Sequence, residues 1–125
     1  MSRTKTEDMF ALSPSHNFYY YIEPTDMRMS FNGLSGKVMD HYENTNQTNA
    51  VYLFVNKRRD KMKILHWTQE GLMIYYKRLE RGFYELPKYE LTQSMVCLTY
   101  TKMIMIIDGI SIVKLSENKR YKSKK

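Results

Sequence analysis

Cysteine is almost absent from this sequence, and so are long hydrophobic runs. The single Cys97 cannot form an internal disulfide, which fits a reducing compartment. The longest apolar stretch, residues 103–107, is far shorter than the roughly 20 residues that cross a bilayer. No apolar segment follows a basic start, as one would in a signal peptide. We therefore expect a soluble cytoplasmic protein with no membrane partner.

Side chains that build metal or catalytic sites are also scarce. His16, His41 and His66 are far apart in the sequence, and one cysteine cannot complete a zinc site with them. Cys97 has no histidine placed to activate it, so a small buried hydrophobe is its expected role. No carboxylates have the spacing of a metal-dependent recombinase triad, and no glycine-rich phosphate loop occurs. We expect no enzyme activity, no cofactor and no metal.

Positive charge is in excess and is concentrated. Twenty Lys and Arg residues oppose 13 Asp and Glu residues, which leaves a net charge of +7. Clusters of positive charge attract phosphate backbones through a salt-sensitive interaction. A solvated end is the favoured interpretation of the C-terminal cluster, whereas the two internal clusters flank predicted strands. The clusters are Lys57, Arg58, Arg59, Lys61 and Lys63; Lys77, Arg78 and Arg81; and Lys119, Arg120, Lys122, Lys124 and Lys125.

Hydrophobic patterns predict a single α+β domain over residues 17–115. We expect an antiparallel β-meander sheet with an N-terminal and a C-terminal helix packed on it. Residues 1–16 would form a flexible arm, and residues 116–125 a disordered basic tail. Residues 83–86 fit a short extra strand or an extended edge, and residues 110–115 fit a terminal strand or irregular docking. The predicted strands are residues 18–22, 51–55, 62–67, 72–78 and 94–98.

Both predicted helices begin at a threonine. Thr25 stands at the N-cap position of the first, and Asp26 adds a negative charge to its first turn. An apolar face of Met27, Phe31, Leu34 and Val38 follows, and the helix is expected to fade near residues 41–42. Thr99 is the predicted N-cap of the second helix, which would end near Gly109.

Strand 72–78 carries the sharpest binding hypothesis. Alternation places Tyr76 and Arg78 on one face and Tyr75 and Lys77 on the other, so one tyrosine should face solvent. An exposed tyrosine beside arginines suits stacking on a base while the cations hold a phosphate. Alternatively, the charges protect a sheet edge from aggregation, with Glu80 pairing Arg78 or Arg81. The predicted DNA-contacting set is Lys57, Arg58, Arg59, Lys61, Lys63, Tyr75, Lys77, Arg78 and Arg81.

Two further side chains have roles outside that set. Arg28 would meet DNA, a protein partner or an internal carboxylate, and a pair with Glu80 or Glu85 is favoured because arginine holds carboxylates in bidentate fashion. Trp67 is expected to anchor the core or its rim, since an exposed tryptophan would mark a partner interface.

Three segments, in this order and at these separations, resemble one family of mobile-element proteins. The similarity covers roughly residues 18–112, and the unbroken run from Tyr76 to Gly82 is its strongest piece. Leu98-Thr99 resembles the short lead into the family's final helix. The segments are Thr25-Asp26-Met27-Arg28 with Phe31, Gly33 and Leu34; Val51-Tyr52-Leu53-Phe54 with Lys63-Ile64-Leu65-His66-Trp67; and Gly71-Leu72 with Tyr76-Lys77-Arg78-Leu79-Glu80-Arg81-Gly82.

By these segments the chain resembles the TnpB-type accessory proteins of the insertion-sequence sixty-six family of transposable elements. The resemblance implies a small protein encoded beside a large DDE-type transposase and needed for DNA transposition, with no catalytic residues to carry over. It implies as partners the transposase and another accessory protein. Thr68 departs from the family, which usually has an acidic residue there. The family-motif residues are Thr25, Asp26, Met27, Arg28, Trp67, Tyr76, Glu80 and Gly82.

Two functional classes remain open. One is an accessory factor that contacts DNA within a transposase complex, for which the +7 charge and the ordered basic clusters argue. The other is an adaptor that docks on the transposase without binding DNA, for which the 11 Tyr and 10 Met residues argue, since a small core cannot hide them all. The sequence favours DNA contact.

Overall fold

The computed structural model describes residues 12–45, 49–68, 70–90 and 92–108. Five strands and two helices lie in these ranges, close to the predicted positions. The strands are β1 (Asn17–Tyr21), β2 (Ala50–Val55), β3 (Lys61–Thr68), β4 (Gly71–Arg78) and β5 (Met95–Leu98), and the helices are α1 (Phe31–Thr45) and α2 (Tyr100–Ile107).

The strands form one sheet in the order β4-β3-β2-β1-β5. The predicted meander is confirmed for β2, β3 and β4, which pair antiparallel, and β5 pairs antiparallel with β1. One pair departs from the predicted antiparallel arrangement, because β1 and β2 are parallel. Their connection contains α1, and a crossover of this kind lets consecutive strands run in the same direction. Two helices and a mostly antiparallel sheet make an α+β fold, as predicted.

The two helices cover opposite faces of the sheet. On the first face, Leu34 and Val38 of α1 pack against sheet residues that include Tyr52, Phe54 and Leu65, and we call this the α1-face cluster. The α2-face cluster lies on the other side. Strand β2 is buried on both faces, which explains why its sequence is continuously hydrophobic rather than alternating. The α2-face cluster contains Phe18, Tyr20, Val51, Leu53, Val55, Met62, Ile64, Tyr84, Leu98, Met103, Ile106 and Ile107.

Helix α1 begins at Phe31, six residues later than the predicted cap at Thr25. The backbone N–H of Thr25 donates to the carbonyl of Val55 at 2.9 Å, which holds this buried threonine at the end of β2. The carboxylate of Asp26 accepts from the backbone N–H of Arg28 at 2.9 Å, a local turn that competes with helix formation. Met27 therefore lies in a loop, although it still packs against the α1-face cluster.

Helix α2 has the predicted N-cap. The hydroxyl of Thr99 accepts from the backbone N–H of Lys102 at 3.1 Å, which satisfies one of the free donors of the first turn. At the other end, the ammonium of Lys77 donates to the carbonyl of Ile107 at 2.6 Å. Strand β4 is therefore tied to the C-terminal end of the helix through a lysine that complements the helix dipole.

Residues 83–86 form no strand, so the short extra strand that the sequence allowed is not present there. Gly82 has a φ of 72°, a left-handed conformation that glycine adopts without steric cost, and it turns the chain after β4. Tyr84 is then fully buried in the α2-face cluster. Its backbone N–H donates to the carbonyl of Arg59 at 2.6 Å, and its hydroxyl donates to the carbonyl of Lys77 at 3.4 Å. The buried side chain and the backbone of Tyr84 thus hold this segment against the sheet, and Leu86 also packs against the α2-face cluster.

Several predicted features fall outside the described residues. They are the first 11 residues of the N-terminal arm, the helix end at Gly109, the strand at 110–115 and the tail at 116–125. Within the described part, residues 12–16 lie beside the sheet, where the carbonyl of Ser15 accepts from the side chain of Asn49 at 2.7 Å. Neither described helix is long and apolar enough to cross a membrane.

Two histidines are placed where protonation is unfavourable. His66 is only 6% exposed, its ring meets the ring of His16 edge-on at a centroid distance of 4.7 Å, and its Nδ1 has no hydrogen-bond partner among the described residues. Burial, with a smaller contribution from His16, lowers the pKa of His66. Burial also lowers the pKa of His41, whose Nδ1 lies 2.9 Å from the hydroxyl of Tyr52. Both rings are therefore neutral in the folded protein near neutral pH.

Acidification from about pH 7.5 to about pH 5.5 is expected to lower the free energy of unfolding of the wild type more than that of His66→Leu. Because the folded-state pKa of His66 lies below its ordinary value of 6.5, the unfolded chain takes up the proton first. Stability is therefore complete above that value and falls as the pH drops through it towards the folded-state pKa. Urea unfolding at both pH values measures the difference, and equal losses in the two proteins would contradict the prediction. The lowered pKa values of Asp26 and Asp60 place their titration below this window.

Candidate nucleic-acid interface

A cleft of about 470 Å³ opens on the α1 side of the sheet. One wall is the loop of residues 24–28 that precedes α1, and the other is the turn between β2 and β3. Lys61 of β3 and Tyr76 of β4 also line it. Four cations, Arg28, Lys57, Arg58 and Lys61, share the cleft with one carboxylate, that of Asp26. Its lining is therefore strongly positive.

The carboxylate of Asp26 is engaged by Arg28, two residues away. The guanidinium donates from Nε to both carboxylate oxygens at 3.1 and 3.0 Å and from Nη2 at 2.6 Å. These bonds lower the pKa of Asp26 to about 2. The predicted partners of Arg28, Glu80 and Glu85, were wrong, because the turn brings Asp26 within reach first. The arginine side chain remains 91% exposed, so it is oriented and still accessible.

The turn between β2 and β3 is held by Asn56. Its side-chain oxygen accepts from the backbone N–H groups of Asp60 and Lys61 at 3.1 and 3.0 Å, and its amide nitrogen donates to the carboxylate of Asp60 at 2.8 Å. Lys57 and Arg58 are exposed at the tip. Within the described ranges, neither they nor Lys61 form an ion pair with a carboxylate. The turn therefore presents its cations on an ordered backbone.

Two cross-strand pairs of β3 and β4 extend this surface. Lys61 stands opposite Arg78, and Lys63 stands opposite Tyr76. The ring of Tyr76 is 51% exposed, and the ammonium of Lys63 lies 4.8 Å from its centroid, a cation–π distance. Lys63 itself is buried, and its ammonium donates to the carbonyl of Met29 at 2.6 Å. Like charges directly opposite each other destabilise a sheet, so the pair of Lys61 and Arg78 has no evident value for folding.

The predicted DNA-contacting residues are divided between the two faces of the sheet. Tyr75 packs against the α2-face cluster, so the exposed tyrosine of β4 is Tyr76. Lys77 is on the same side as Tyr75 and binds the end of α2. The guanidinium of Arg59 lies over the ring of Phe83, 4.7 Å from its centroid, rather than in the cleft. Arg81 is exposed in the segment after β4.

The other family-motif residues have local structural roles. Trp67 is half-buried and stacks on Tyr42 at a centroid distance of 4.1 Å, which confirms its placement at the rim of the core. Glu80 lies 3.9 Å from Arg78 on the surface, the pairing that edge protection predicts, and an exposed pair of this kind is weak. Thr68 accepts from the backbone N–H groups of Glu70 and Gly71 and closes the turn between β3 and β4.

Sequence reasoning missed two residues of this site. The sequence predicts that one of Tyr75 and Tyr76 is exposed, and the predicted DNA-contacting set contains Tyr75, whereas the structure exposes Tyr76. Asn56, which orders the basic turn, is absent from the predicted set of site residues. Its signal was an asparagine placed before a basic run between two strands, a position where this side chain commonly bonds nearby backbone.

A second surface lies between β5, α2 and residues 85–88, on the opposite side of the sheet from the cleft. It is a groove of about 370 Å³ with the apolar side chains Leu86, Pro87, Val96, Met105 and Ile106 in its lining. Cys97, predicted to be buried, is exposed here because β5 is an edge strand. This groove is the surface that the adaptor hypothesis would use.

Comparison with known proteins bears on the same elements. The family model described as IS66 Orf2 like protein matches residues 16–117, a range that includes every described strand and both helices. No curated protein and no solved structure matches the chain. The match confirms the resemblance carried by the segments at residues 25–34, 51–67 and 71–82. The chain therefore belongs to the IS66 Orf2 like family and is an accessory protein in the transposition of IS66-type insertion sequences.

Proposed function

We propose that this protein contacts DNA through the cleft, as a non-catalytic partner of the element's transposase. One observation carries the proposal. Segments of the family motif that are some 50 residues apart in sequence, the loop with Asp26 and Arg28 and the strand with Tyr76, meet the basic turn at one cleft. Folding thus gathers cations that share no helix or strand and pair with no described carboxylate except Asp26.

The arrangement suits the phosphate backbone of DNA. Exposed lysines and arginines bind phosphates largely through release of condensed counterions, so their binding weakens steeply with salt. Contacts of this kind position a protein on DNA without reading its sequence. An accessory role beside a transposase fits such contacts, because the large enzyme can supply the sequence recognition and the chemistry.

The second candidate function is docking on the transposase. The apolar groove between β5 and α2 supports it, together with the exposed rings of Phe83 and Tyr89 and the position of β5 at the edge of the sheet formed by the described strands. Apolar and aromatic side chains of this kind are enriched at the centres of protein interfaces. Docking through the groove and DNA contact through the cleft use opposite sides of the sheet, so a test of each is independent of the other.

A charge reversal in the cleft tests the proposal. Arg58→Glu is expected to weaken binding to a random DNA duplex at least about tenfold at roughly 0.1 M salt, because a phosphate contact is replaced by repulsion. Lys102→Glu, which makes the same change of charge beside the apolar groove, is the matched control. Its affinity should stay within about threefold of the wild type. Fluorescence anisotropy with labelled duplexes measures both.

Equal weakening by the two variants would mean that net charge alone attracts DNA, and the cleft would lose its role. Absence of binding by the wild type to both a duplex and a single strand at about 0.05 M salt would remove the proposal altogether. In that event a pull-down of the transposase, with Met105→Glu as the groove variant, becomes the test of the docking function.

A further inference from the structure

The most unusual side chain in the cleft is aromatic rather than charged. Tyr76 is half-exposed on β4, an edge strand, and its ring lines the cleft. A large apolar ring exposed on an edge strand makes unfavourable contact with water and promotes aggregation unless it takes part in an interaction. The structure does not bury it under α1, although Ile74 and Leu72 on the same face of β4 pack against the α1-face cluster.

The ring is also held in place. Lys63 lies opposite Tyr76 across the strand pair, and its ammonium stands 4.8 Å from the ring centroid. That ammonium is fixed in position, because it donates to the carbonyl of Met29 at 2.6 Å and Lys63 is buried. A ring held in this way loses little conformational entropy when a flat group stacks on it, which favours binding.

Around the ring stand the groups that a nucleotide needs. Lys57, Arg58 and Lys61 supply phosphate-binding charge in the same cleft, and Arg28 adds an oriented guanidinium. A cleft of about 470 Å³ is within the size range of small-molecule sites and takes one nucleotide rather than the width of a duplex. The face of a base is available for stacking on a protein ring only when the base has left the duplex.

We infer that the cleft binds an unpaired nucleotide of DNA, with its base stacked on Tyr76 and its phosphates on the basic turn. This inference rests on the proposed function and names the form of DNA that the cleft takes. Strand ends and flipped or melted bases carry such nucleotides, and transposition exposes unpaired DNA when strands are cut and joined. Stacking on an aromatic side chain is tolerant of base identity, so no strong sequence preference is expected.

Removal of the base, with the phosphates retained, tests this directly. A labelled single strand of about 12 nucleotides is compared with an abasic strand of the same length and with a duplex. The wild type should bind the ordinary strand about tenfold more tightly than the abasic one. Tyr76→Ala should abolish this preference, and Tyr76→Phe, which keeps the ring, should retain it.

Tyr89→Ala is the matched control, because that ring is 43% exposed and lines a different groove. It should leave the preference for the ordinary strand unchanged. Equal binding of ordinary and abasic strands by the wild type, or an unchanged preference in Tyr76→Ala, would overturn the inference. Salt-sensitive duplex binding that persists in that case leaves the proposed function standing, whereas binding of no oligonucleotide would overturn both.

Discussion

Replacing Tyr84 with Ala is expected to lower the free energy of unfolding by about 4 kcal/mol. Tyr84 is 0% exposed and packs in the α2-face cluster, so truncation leaves a cavity of most of a ring. The change also removes a hydrogen bond to the carbonyl of Lys77. A domain of this size has a stability of about 5–15 kcal/mol, so much of it would be lost. Urea unfolding followed by circular dichroism measures the loss.

Two companion variants separate packing from the hydroxyl. Tyr84→Phe keeps the ring and is expected to cost about 1 kcal/mol, because only the long hydrogen bond of 3.4 Å is lost. Tyr89→Ala removes an exposed ring a few residues further along the chain and should change stability by less than about 0.5 kcal/mol. A loss below about 1 kcal/mol for Tyr84→Ala would contradict the view that this side chain fastens residues 83–86 to the sheet.

The strands could be predicted from the sequence because each is a local pattern. Residues 51–55 are continuously hydrophobic since β2 is covered on both faces, and Thr99 caps α2 through a bond within its own first turn. The direction of β1 relative to β2 is not local, because it depends on where the chain goes between them. The predicted start of α1 was wrong for the same reason. A hydrogen bond from Thr25 to Val55, 30 residues away, holds the threonine in the loop before the helix.

For the candidate site, too, local features could be predicted from the sequence and features that depend on distant contacts could not. Alternation along β4 could be read from the sequence, which correctly separated Tyr76 and Arg78 from Tyr75 and Lys77. The sequence does not show which face of β4 remains exposed, because that depends on where α2 packs. Lys77 belongs to a basic cluster in sequence, yet its ammonium caps a helix 30 residues away. Clustering in sequence therefore indicates phosphate binding only for cations that tertiary contacts leave accessible.

Removing three cations from the cleft is expected to reduce DNA affinity by roughly a hundredfold at about 0.1 M salt. The variant combines Lys57→Ala, Arg58→Ala and Lys61→Ala, which line the cleft and form no ion pair with a described carboxylate. Each lost phosphate contact leaves counterions bound to the DNA, so the three substitutions lower the binding free energy additively. Anisotropy titrations with a duplex and a single strand measure it, and circular dichroism checks that the variant is folded.

A matched variant removes equal charge from residues that do not line the cleft. Lys37→Ala, Lys88→Ala and Lys102→Ala together lower the net charge by the same amount, but Lys37 is on α1 and the other two lie beside the apolar groove. Its affinity should fall by no more than about fivefold, because exposed charges beyond a Debye length are largely screened. Similar losses in both triple variants would show that DNA senses the overall charge of the protein and not this cleft.

The salt dependence of binding is the measurement that tests the cleft most directly. The slope of log K against log salt counts the phosphates that the protein neutralises, at about 0.9 per contact on duplex DNA. For the variant that lacks Lys57, Arg58 and Lys61, we predict a slope shallower than that of the wild type by about 2 to 3, with no such change in the matched variant. Equal slopes for the wild type and the cleft variant would contradict DNA contact at this site.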